Sequence, residues 1–236
     1  CMSLQEIELP EGLEEIGKSA FEGCSSLKRI VIPEGVRSIR EKTFCECTAL
    51  QEIRLPDGLE LIGRSAFSEC EALQEIRLPD GLKEIGSDAF SGCRSLRQIT
   101  VPVGVKCIET AVFQSCRALQ EVHLPEGLEQ IGMFAFEDCD TLTRIVLPAS
   151  LKRLCRGAFE NCTSLLEAQL PDGLEELQDD AFEYCRSLQK VTIPAQVRQI
   201  ERAAFYYCQS LQEVQLPEEL NEIGEDAFAH CWALKR

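Results

Sequence analysis

Apolar positions recur along this chain with a fixed spacing of 23 residues. Proline marks the spacing most clearly, because all ten prolines follow it. They are Pro10, Pro33, Pro56, Pro79, Pro102, Pro125, Pro148, Pro171, Pro194 and Pro217. Phenylalanine recurs with the same spacing from Phe21 to Phe228, and cysteine follows three residues later, from Cys24 to Cys231. A period this strict predicts a solenoid, in which each repeat forms one turn and packs against its neighbours.

One repeat predicts two short strands joined by turns. Its pattern reads L-x-x-I-x-L-P-x-G-L-x-x-I-G-x-x-A-F-x-x-C-x-x, and its opening positions alternate as in a strand with one buried face. Proline ends that strand because it has no N–H for a further ladder bond. L-P-D-G fits a turn with proline in second place, and Ser150, Gln196 and Glu219 replace its glycine, so we expect no positive φ there. The second half, interrupted by glycine, predicts a very short strand and a tight 3₁₀-like turn.

The shared positions of Pro, Ala-Phe and Cys resemble the BspA-like, treponemal-type class of leucine-rich repeats, and the resemblance covers the chain in ten units. It implies a curved, mainly β repeat solenoid with a parallel β-sheet on its concave face, short strands and 3₁₀-like turns on its convex side, and little α-helix. It also implies adhesion or protein binding, at the cell surface or in a secreted protein. Departures from the pattern are local. They are Ala168 at the strand isoleucine, and Arg40, Glu109, Cys155, Gln178 and Glu201 at the second glycine.

The repeat pattern extends to both ends of the sequence, which opens with C-M-S-L and closes with C-W-A-L-K-R. We therefore expect one array over residues 1–236 that forms a fragment of a longer chain. Repeats without caps leave apolar surface open, so we also expect end-to-end self-association through the terminal repeats.

The chain is strongly acidic, with 40 Asp and Glu against 24 Lys and Arg and a formal net charge of −16. This charge argues against nucleic acids and anionic membrane surfaces as partners, because their phosphates would be repelled. No apolar run approaches the roughly 18 residues of a membrane-spanning helix, so we expect no membrane insertion.

Ten of the fourteen cysteines form the column that follows phenylalanine. Stacked copies would lie about 5 Å apart at strand spacing, which permits a disulfide, but their Cβ atoms would all point inward the same way. Packing of a small side chain with a weak donor explains the column better. Cys1, Cys45, Cys107 and Cys155 lie outside it, and we expect them to be more exposed. Unpaired thiols favour a reducing compartment such as the cytoplasm, in contrast to the surface location that the resemblance implies.

Catalysis finds little support in the sequence. His123 and His230 belong to repeats at least roughly 19 Å apart by strand spacing, so they cannot share a site. Acidic pairs such as Asp179-Asp180 occupy positions that we expect to face solvent. No phosphate-binding loop or metalloprotease motif is present. We therefore expect no enzymatic activity, no cofactor and no metal site.

The outward strand position two residues before proline changes character at nearly every repeat, and we call its residues the concave stripe. They are Glu8, Val31, Arg54, Arg77, Thr100, His123, Val146, Gln169, Thr192 and Gln215. The resemblance implies that ligands contact this stripe. Arg54 and Arg77 should be neighbours that suit a partner's carboxylate, and with Thr100 and His123 they form our first candidate site. Ordinary variation at solvated positions is the alternative.

A second candidate site contains aromatic residues beside the last repeated cysteines, and we call it the aromatic cluster. Its members are Tyr184, Tyr206, Tyr207, His230 and Trp232. Residues of these types are enriched at binding hot spots, and they suit a protein loop or a sugar face. The alternative is that they shield the last turns or contact the segment that follows.

Two functions remain open on this basis. The first is a non-catalytic module for protein interaction or adhesion, which binds a protein or a glycan through one or both candidate sites. The second is a structural spacer or scaffold segment of a larger multidomain protein.

Overall fold

The computed structural model describes residues 1–235 and shows a β-solenoid of parallel strands, in which no α-helix occurs among the described residues. A first row holds three-residue strands: β1 (Arg29–Val31), β3 (Glu52–Arg54), β6 (Gln98–Thr100), β8 (Glu121–His123), β10 (Arg144–Val146), β12 (Glu167–Gln169), β14 (Lys190–Thr192) and β16 (Glu213–Gln215). A second row holds two-residue strands: β2 (Ser38–Ile39), β4 (Leu61–Ile62), β5 (Glu84–Ile85), β7 (Cys107–Ile108), β9 (Gln130–Ile131), β11 (Arg153–Leu154), β13 (Glu176–Leu177), β15 (Gln199–Ile200) and β17 (Glu222–Ile223). Arg236, the last residue of the predicted array, lies outside the described residues.

Paired strands within each row are parallel, with a register of one repeat. Ile30 of β1 lies opposite Ile53 of β3, and Val191 of β14 lies opposite Val214 of β16. In β1, β3 and β6 the central residue is buried while both neighbours are exposed. The predicted alternation and the predicted mainly β, leucine-rich-repeat solenoid with parallel sheets are therefore confirmed.

The first row contains eight strands, although the sequence predicts ten repeats. The first repeat contributes only an isolated bridge, and residues 75–77 form no strand. The one-repeat register would place Glu75 opposite Glu52. It would likewise place Arg77 opposite Arg54. Like charges at directly opposed positions weaken a strand pair. They are not the only source of such gaps, because β8 and β10 also form no ladder although Glu121 and Arg144 would be opposed there.

The turn after the first-row strand begins at proline. In all ten repeats the N–H three residues after proline donates to the proline carbonyl, as from Leu82 to Pro79 at 3.1 Å. Proline is thus the first residue of the turn, and the predicted second place is wrong. Its missing N–H ends the ladder while its carbonyl remains free to accept the turn bond. Ser150, Gln196 and Glu219 have no positive φ, as the sequence predicts, whereas Gly127 at the same position of its repeat has a φ of 99°.

The third side of each turn, between the second-row strand and the cysteine, consists of overlapping turns. The N–H groups of Ser68 and Cys70 donate to carbonyls three residues earlier, both at 3.2 Å. Ser65 and Glu69 take positive φ values of 52° and 57°, so alternate N–H groups point toward the next turn. Phe67 donates to that turn at 2.8 Å. Each repeat therefore has a third hydrogen-bonded side, which the sequence pattern does not predict.

Ten phenylalanine rings form one continuous stack through the core. Neighbouring ring centroids lie 5.3–5.7 Å apart from Phe21 to Phe228, and the eight rings between these two end members are fully buried. Phe134 alone lies outside the stack. Its ring covers Gly157 and lies under the guanidinium of Arg156, 5.8 Å from centroid to carbon.

The repeated cysteines are core residues with a defined hydrogen-bond partner. Each thiol from Cys47 to Cys231 donates to the carbonyl oxygen of the phenylalanine in the preceding repeat, at 3.1–3.3 Å. All fourteen cysteines are free thiols. The column therefore links successive turns through weak hydrogen bonds, and it packs in the core as the sequence predicts.

Two cysteines outside the column are buried against expectation. Cys1 is exposed and Cys107 is partly exposed, as predicted, whereas Cys45 and Cys155 are each only 8% exposed. Burial raises the pKa of Cys45, with smaller effects of neighbouring charges that include Glu46 and Glu22.

Candidate partner-binding surfaces

Tyr184, Tyr207 and His230 form a column of rings on the third side of the solenoid. Each residue immediately precedes the repeated cysteine. The ring centroid of Tyr207 lies 5.3 Å from that of Tyr184 and 4.4 Å from that of His230. The rings stack in chain order because equivalent residues of successive turns lie one strand spacing apart.

Tyr206 and Trp232 complete the aromatic cluster. Tyr206 packs edge-on against Tyr184 and His230, with centroids 5.7 and 5.3 Å apart. Trp232 lies 5.6 Å from Tyr207 and 5.8 Å from His230. Trp232 is 67% exposed, and the three tyrosines are partly exposed. The five rings thus form one continuous surface, in which each ring contacts at least two others.

The backbone of this column does not favour aromatic residues. Tyr184, Tyr207 and His230 have φ values of 58°, 58° and 62°, in the left-handed region that bulky residues seldom occupy. Equivalent positions of other repeats hold residues that suit this region, such as Gly23 and Asn161. Since those repeats form the same turn without aromatic residues, the fold does not require aromatic residues here.

A cation already covers one ring face of the cluster. The guanidinium carbon of Arg186 lies 5.8 Å from the ring centroid of Tyr184, within cation–π range. Partial desolvation, then the neighbouring groups of Tyr184 and Tyr207, and last the carboxylates of Asp226 and Glu183, raise the pKa of Tyr206. The cluster therefore offers ring faces and a protonated hydroxyl in negatively charged surroundings.

Three glutamates occupy one position in successive turns that precede Tyr206 of the aromatic cluster, and we call them the carboxylate column. Glu137, Glu160 and Glu183 each follow the core phenylalanine of their repeat, and Tyr206 takes the same place in the next repeat. All three glutamates are half-buried, and burial raises the pKa of each. Sequence reasoning missed this column because acidic residues are so numerous. Its signal is one repeat position that is glutamate in three successive units.

Glu160 is expected to lower the stability of the folded protein as the pH rises. Burial, then the charges of Glu137, Glu183 and Asp180, raise the pKa of Glu160 from 4.5 to about 7, and Arg156 opposes the shift. The folded protein therefore favours protonated Glu160. This contribution is complete below about pH 4.5 and is lost as the pH rises through about 7. Glu160→Gln, which stays neutral, should raise the free energy of unfolding at about pH 8 and change it little at about pH 4.5.

Urea unfolding across that pH range measures the difference. Glu126→Gln serves as the control, because Glu126 is an exposed turn residue outside the carboxylate column. This control should leave the pH profile of stability unchanged. A gain from Glu160→Gln that is equal at both ends of the range would contradict the electrostatic explanation.

Asp180 is buried, contrary to the expectation that Asp179-Asp180 faces solvent. Its side chain is 3% exposed and accepts ion-pair contacts from Arg156 at 3.0 Å and from Arg202 at 3.3 Å. These arginines belong to the preceding and following turns, so the carboxylate links three repeats. Sequence pattern alone could not show this arrangement, because it depends on partners from two other turns.

The first candidate site surrounds the gap in the first strand row. Arg54 and Arg77 line one shallow cavity of about 400 Å³, together with Glu34, Glu52 and Asp57. Within residues 1–235, neither arginine forms an ion pair with a carboxylate. The structure thus brings the two predicted arginines together and leaves their guanidinium groups free for a partner.

Thr100 and His123 continue the concave stripe from this gap. Thr100 lies opposite His123 in the pairing of β6 with β8, and both line a cavity of about 560 Å³ that also contains Arg77. The Nε2 atom of His123 lies 3.0 Å from Oε1 of Glu121. The four residues of the first candidate site are therefore contiguous, although the aromatic cluster lies on a different side of the solenoid.

A search for membrane-spanning segments found no helix of sufficient length and hydrophobicity within residues 1–235.

Comparison with known proteins agrees with this architecture. The sequence matches the family model described as "BspA type Leucine rich repeat region (6 copies)" over residues 1–120, 37–163 and 129–236. No curated protein matches the sequence. A leucine-rich repeat protein from Bacteroides ovatus is similar in structure, with 32% identity and a TM-score of 0.83 over 99% of this chain and 66% of that one.

A leucine-rich cell surface protein from Faecalibacterium prausnitzii is also similar, with 30% identity and a TM-score of 0.56 over 84% of this chain and 62% of that one. This chain therefore spans less than two thirds of the length of either protein. The three family matches together cover the whole chain, and the 23-residue period and parallel strand rows agree with them. This chain belongs to the BspA-type leucine-rich repeat family.

Proposed function

We propose that this chain is a non-catalytic protein-binding module whose main contact surface is the aromatic cluster. The observation that carries the proposal is the presence of five contacting aromatic rings at surface positions where the fold does not require them. Partly exposed Tyr and Trp side chains in one patch are the residues that dominate binding energy in protein interfaces. Their amphipathic rings offer a large contact area at low entropic cost.

Adhesion at a cell surface is the cellular role that fits this module. The similar protein from Faecalibacterium prausnitzii is described as a cell surface protein, and repeat arrays of this kind present long surfaces to their partners. The strongly negative chain would meet such a partner through a local patch rather than through its overall charge.

The concave stripe is a second candidate surface, supported by the charge balance of the outward face to which it belongs. The residues five, four and two positions before the repeated prolines include equal numbers of acidic and basic side chains. The whole chain, in contrast, has a net charge of −16. The acidic ones are Glu6, Glu8, Glu52, Glu75, Glu121, Glu167 and Glu213. The basic ones are Lys28, Arg29, Arg54, Arg77, Arg97, Arg144 and Lys190. All of the excess negative charge therefore lies elsewhere, which leaves this face able to receive a partner's carboxylate.

Removal of the aromatic cluster is expected to abolish partner capture. The variant replaces each residue by one that its column carries in another repeat: Tyr184→Asn, Tyr206→Ser, Tyr207→Asn, His230→Asn and Trp232→Thr. A partner captured by the wild-type protein from matrix and cell-surface extracts would be identified by cross-linking and then purified. Its affinity for the variant should fall at least about 100-fold, as for loss of two hot-spot residues.

The matched variant is Arg54→Gln with Arg77→Gln, which changes the concave stripe alone. The cluster variant could keep full affinity while the arginine variant loses binding. That result would show that the concave stripe, and not the aromatic cluster, binds the partner. Capture of no specific partner by the wild-type protein would favour the alternative role as a structural spacer. Urea unfolding of each variant checks that the fold is retained.

A further inference from the structure

The aromatic cluster is continuous with the carboxylate column. The backbone ladder places them on successive turns, because Asn161 donates to the carbonyl of Glu183 at 2.7 Å and Tyr184 donates to that of Tyr206 at 2.8 Å. Glu183 and Tyr206 thus hold the same place in adjacent repeats, and the charge of Glu183 acts on the Tyr206 hydroxyl. The rings and the carboxylates form one surface.

The arginines nearest to these carboxylates are engaged with another residue. Arg156 and Arg202 both contact the buried Asp180, at 3.0 and 3.3 Å. Within the described part of the chain, no Lys or Arg nitrogen lies within 4.0 Å of the carboxylate of Glu160 or Glu183. Because both glutamates are half-buried, water stabilises their charge incompletely. A cation from outside would complete the site.

We propose that this surface receives an arginine-containing segment of a partner protein, with a guanidinium group over the Tyr206 ring and its charge on Glu183 and Glu160. The inference rests on the proposed function of the aromatic cluster and specifies the chemistry of its partner. A guanidinium group is planar, stacks on aromatic faces and bonds carboxylates through two parallel N–H groups. The chain already places one guanidinium group over a ring of the cluster, that of Arg186 over Tyr184.

The charge of the site distinguishes this partner from other ligands. A neutral sugar could stack on Trp232, but it would leave the half-buried carboxylates of Glu160 and Glu183 without a cation in contact, since Arg156 and Arg202 contact Asp180 instead. A phosphate-bearing ligand would be repelled by them. Arginine satisfies both halves of the surface, since one side chain can contact a ring face and a carboxylate together.

Trp232 provides a direct measurement, because it is the only tryptophan of the chain and lies within the cluster. The probe is the peptide acetyl-Gly-Arg-Gly-Arg-Gly-amide, compared with its citrulline analogue, which has the same shape without the charge. At about pH 8, above the pKa of about 7 of Glu160, we expect the arginine peptide to change Trp232 fluorescence with saturation. The citrulline peptide should bind at least about tenfold more weakly, as expected for loss of charge-assisted hydrogen bonds.

Glu160→Gln combined with Glu183→Gln should weaken binding of the arginine peptide about tenfold or more and leave the citrulline peptide unaffected. The control variant combines Glu11→Gln with Glu126→Gln, which changes the net charge equally at two exposed turn residues far from the cluster. It should bind like the wild-type protein. Equal weakening by both variants would show attraction to overall charge and overturn the proposal, as would the lack of a saturable response to millimolar peptide.

Failure of this inference can be separated from failure of the proposed function. If the cluster variant loses a purified partner while the arginine peptide fails to bind, the aromatic cluster binds a partner of other chemistry and only the present inference falls. If the cluster variant keeps its partner, the proposed function of the aromatic cluster is wrong. In that event peptide binding would report a second contact surface rather than the main one.

Discussion

Phe136→Ala should lower the free energy of unfolding by roughly 3–5 kcal/mol, the range for truncating a fully buried phenylalanine. The Phe136 ring is fully buried between Phe113 and Phe159, and both centroid distances are 5.3 Å. Truncation leaves a cavity that the neighbouring turns cannot fill, because strand pairing fixes their spacing. It also removes two stacked ring contacts at once.

Phe134→Ala is the matched control for this experiment. Phe134 is the same residue type two positions earlier in the chain, but it lies outside the ring stack and is partly exposed. Its loss should cost about 1 kcal/mol or less, the value of an exposed cation–π contact with Arg156. Urea unfolding of both variants measures the two effects. Similar losses would contradict the view that stacking through the core stabilises the array.

Because each turn contacts only its neighbours, a defect in the middle of the array also affects cooperativity. Stability in such arrays depends on the intrinsic energy of each repeat and on the interfaces between repeats. Weakening the interfaces around Phe136 should allow the two halves to unfold separately. A lower urea m value for Phe136→Ala than for Phe134→Ala would report this loss of coupling.

The ring stack shows how much of the fold could be predicted from the sequence. The periodic positions from Phe21 to Phe228 predict equivalent places in successive turns, and strand spacing then predicts a stack. The same reasoning predicts the buried cysteine column and the contact of Tyr184 with Tyr207. Each of these features depends on one repeat position being occupied by like residues in neighbouring turns.

Features that depend on pairs of different residues from different turns could not be predicted in this way. Asp180 is buried because arginines from two other repeats reach it. The raised pKa of Glu160 can be explained only when the glutamates of the turns before and after it are considered together. A pattern averaged over ten repeats hides such combinations, although the residues are visible in the sequence.

Repeat positions that hold the same residue in every turn and positions that vary between turns have different roles, the first in stability and the second in recognition. The phenylalanine and cysteine columns hold the same residue in every repeat because any other size would disturb the stack. The columns that hold Tyr207 and Trp232 vary freely elsewhere in the array. Function is therefore expected to depend on short runs of neighbouring turns, each providing a local surface on a uniform framework.

Native thiols of the cysteine column should resist alkylation until the protein unfolds. The thiolate is the reactive form, and burial raises the pKa of Cys139 and Cys185 well above the ordinary value. The pKa of the partly exposed Cys231 is raised to about 11, so about one molecule in a thousand carries its thiolate at pH 8. Labelling with a maleimide, followed by mass spectrometry, should therefore mark Cys1 first and Cys231 far more slowly.

The same labelling in urea should follow the unfolding curve at Cys139, because its reaction requires separation of adjacent turns. Rapid native labelling at Cys139, or ready formation of disulfides within the column under mild oxidation, would contradict the structure. The expected protection also removes the apparent conflict between many free thiols and a surface location. Thiols that bond to the carbonyl of the preceding turn, as Cys139 does at 3.3 Å, stay reduced because they are inaccessible. Their free state is therefore compatible with an oxidising cell surface.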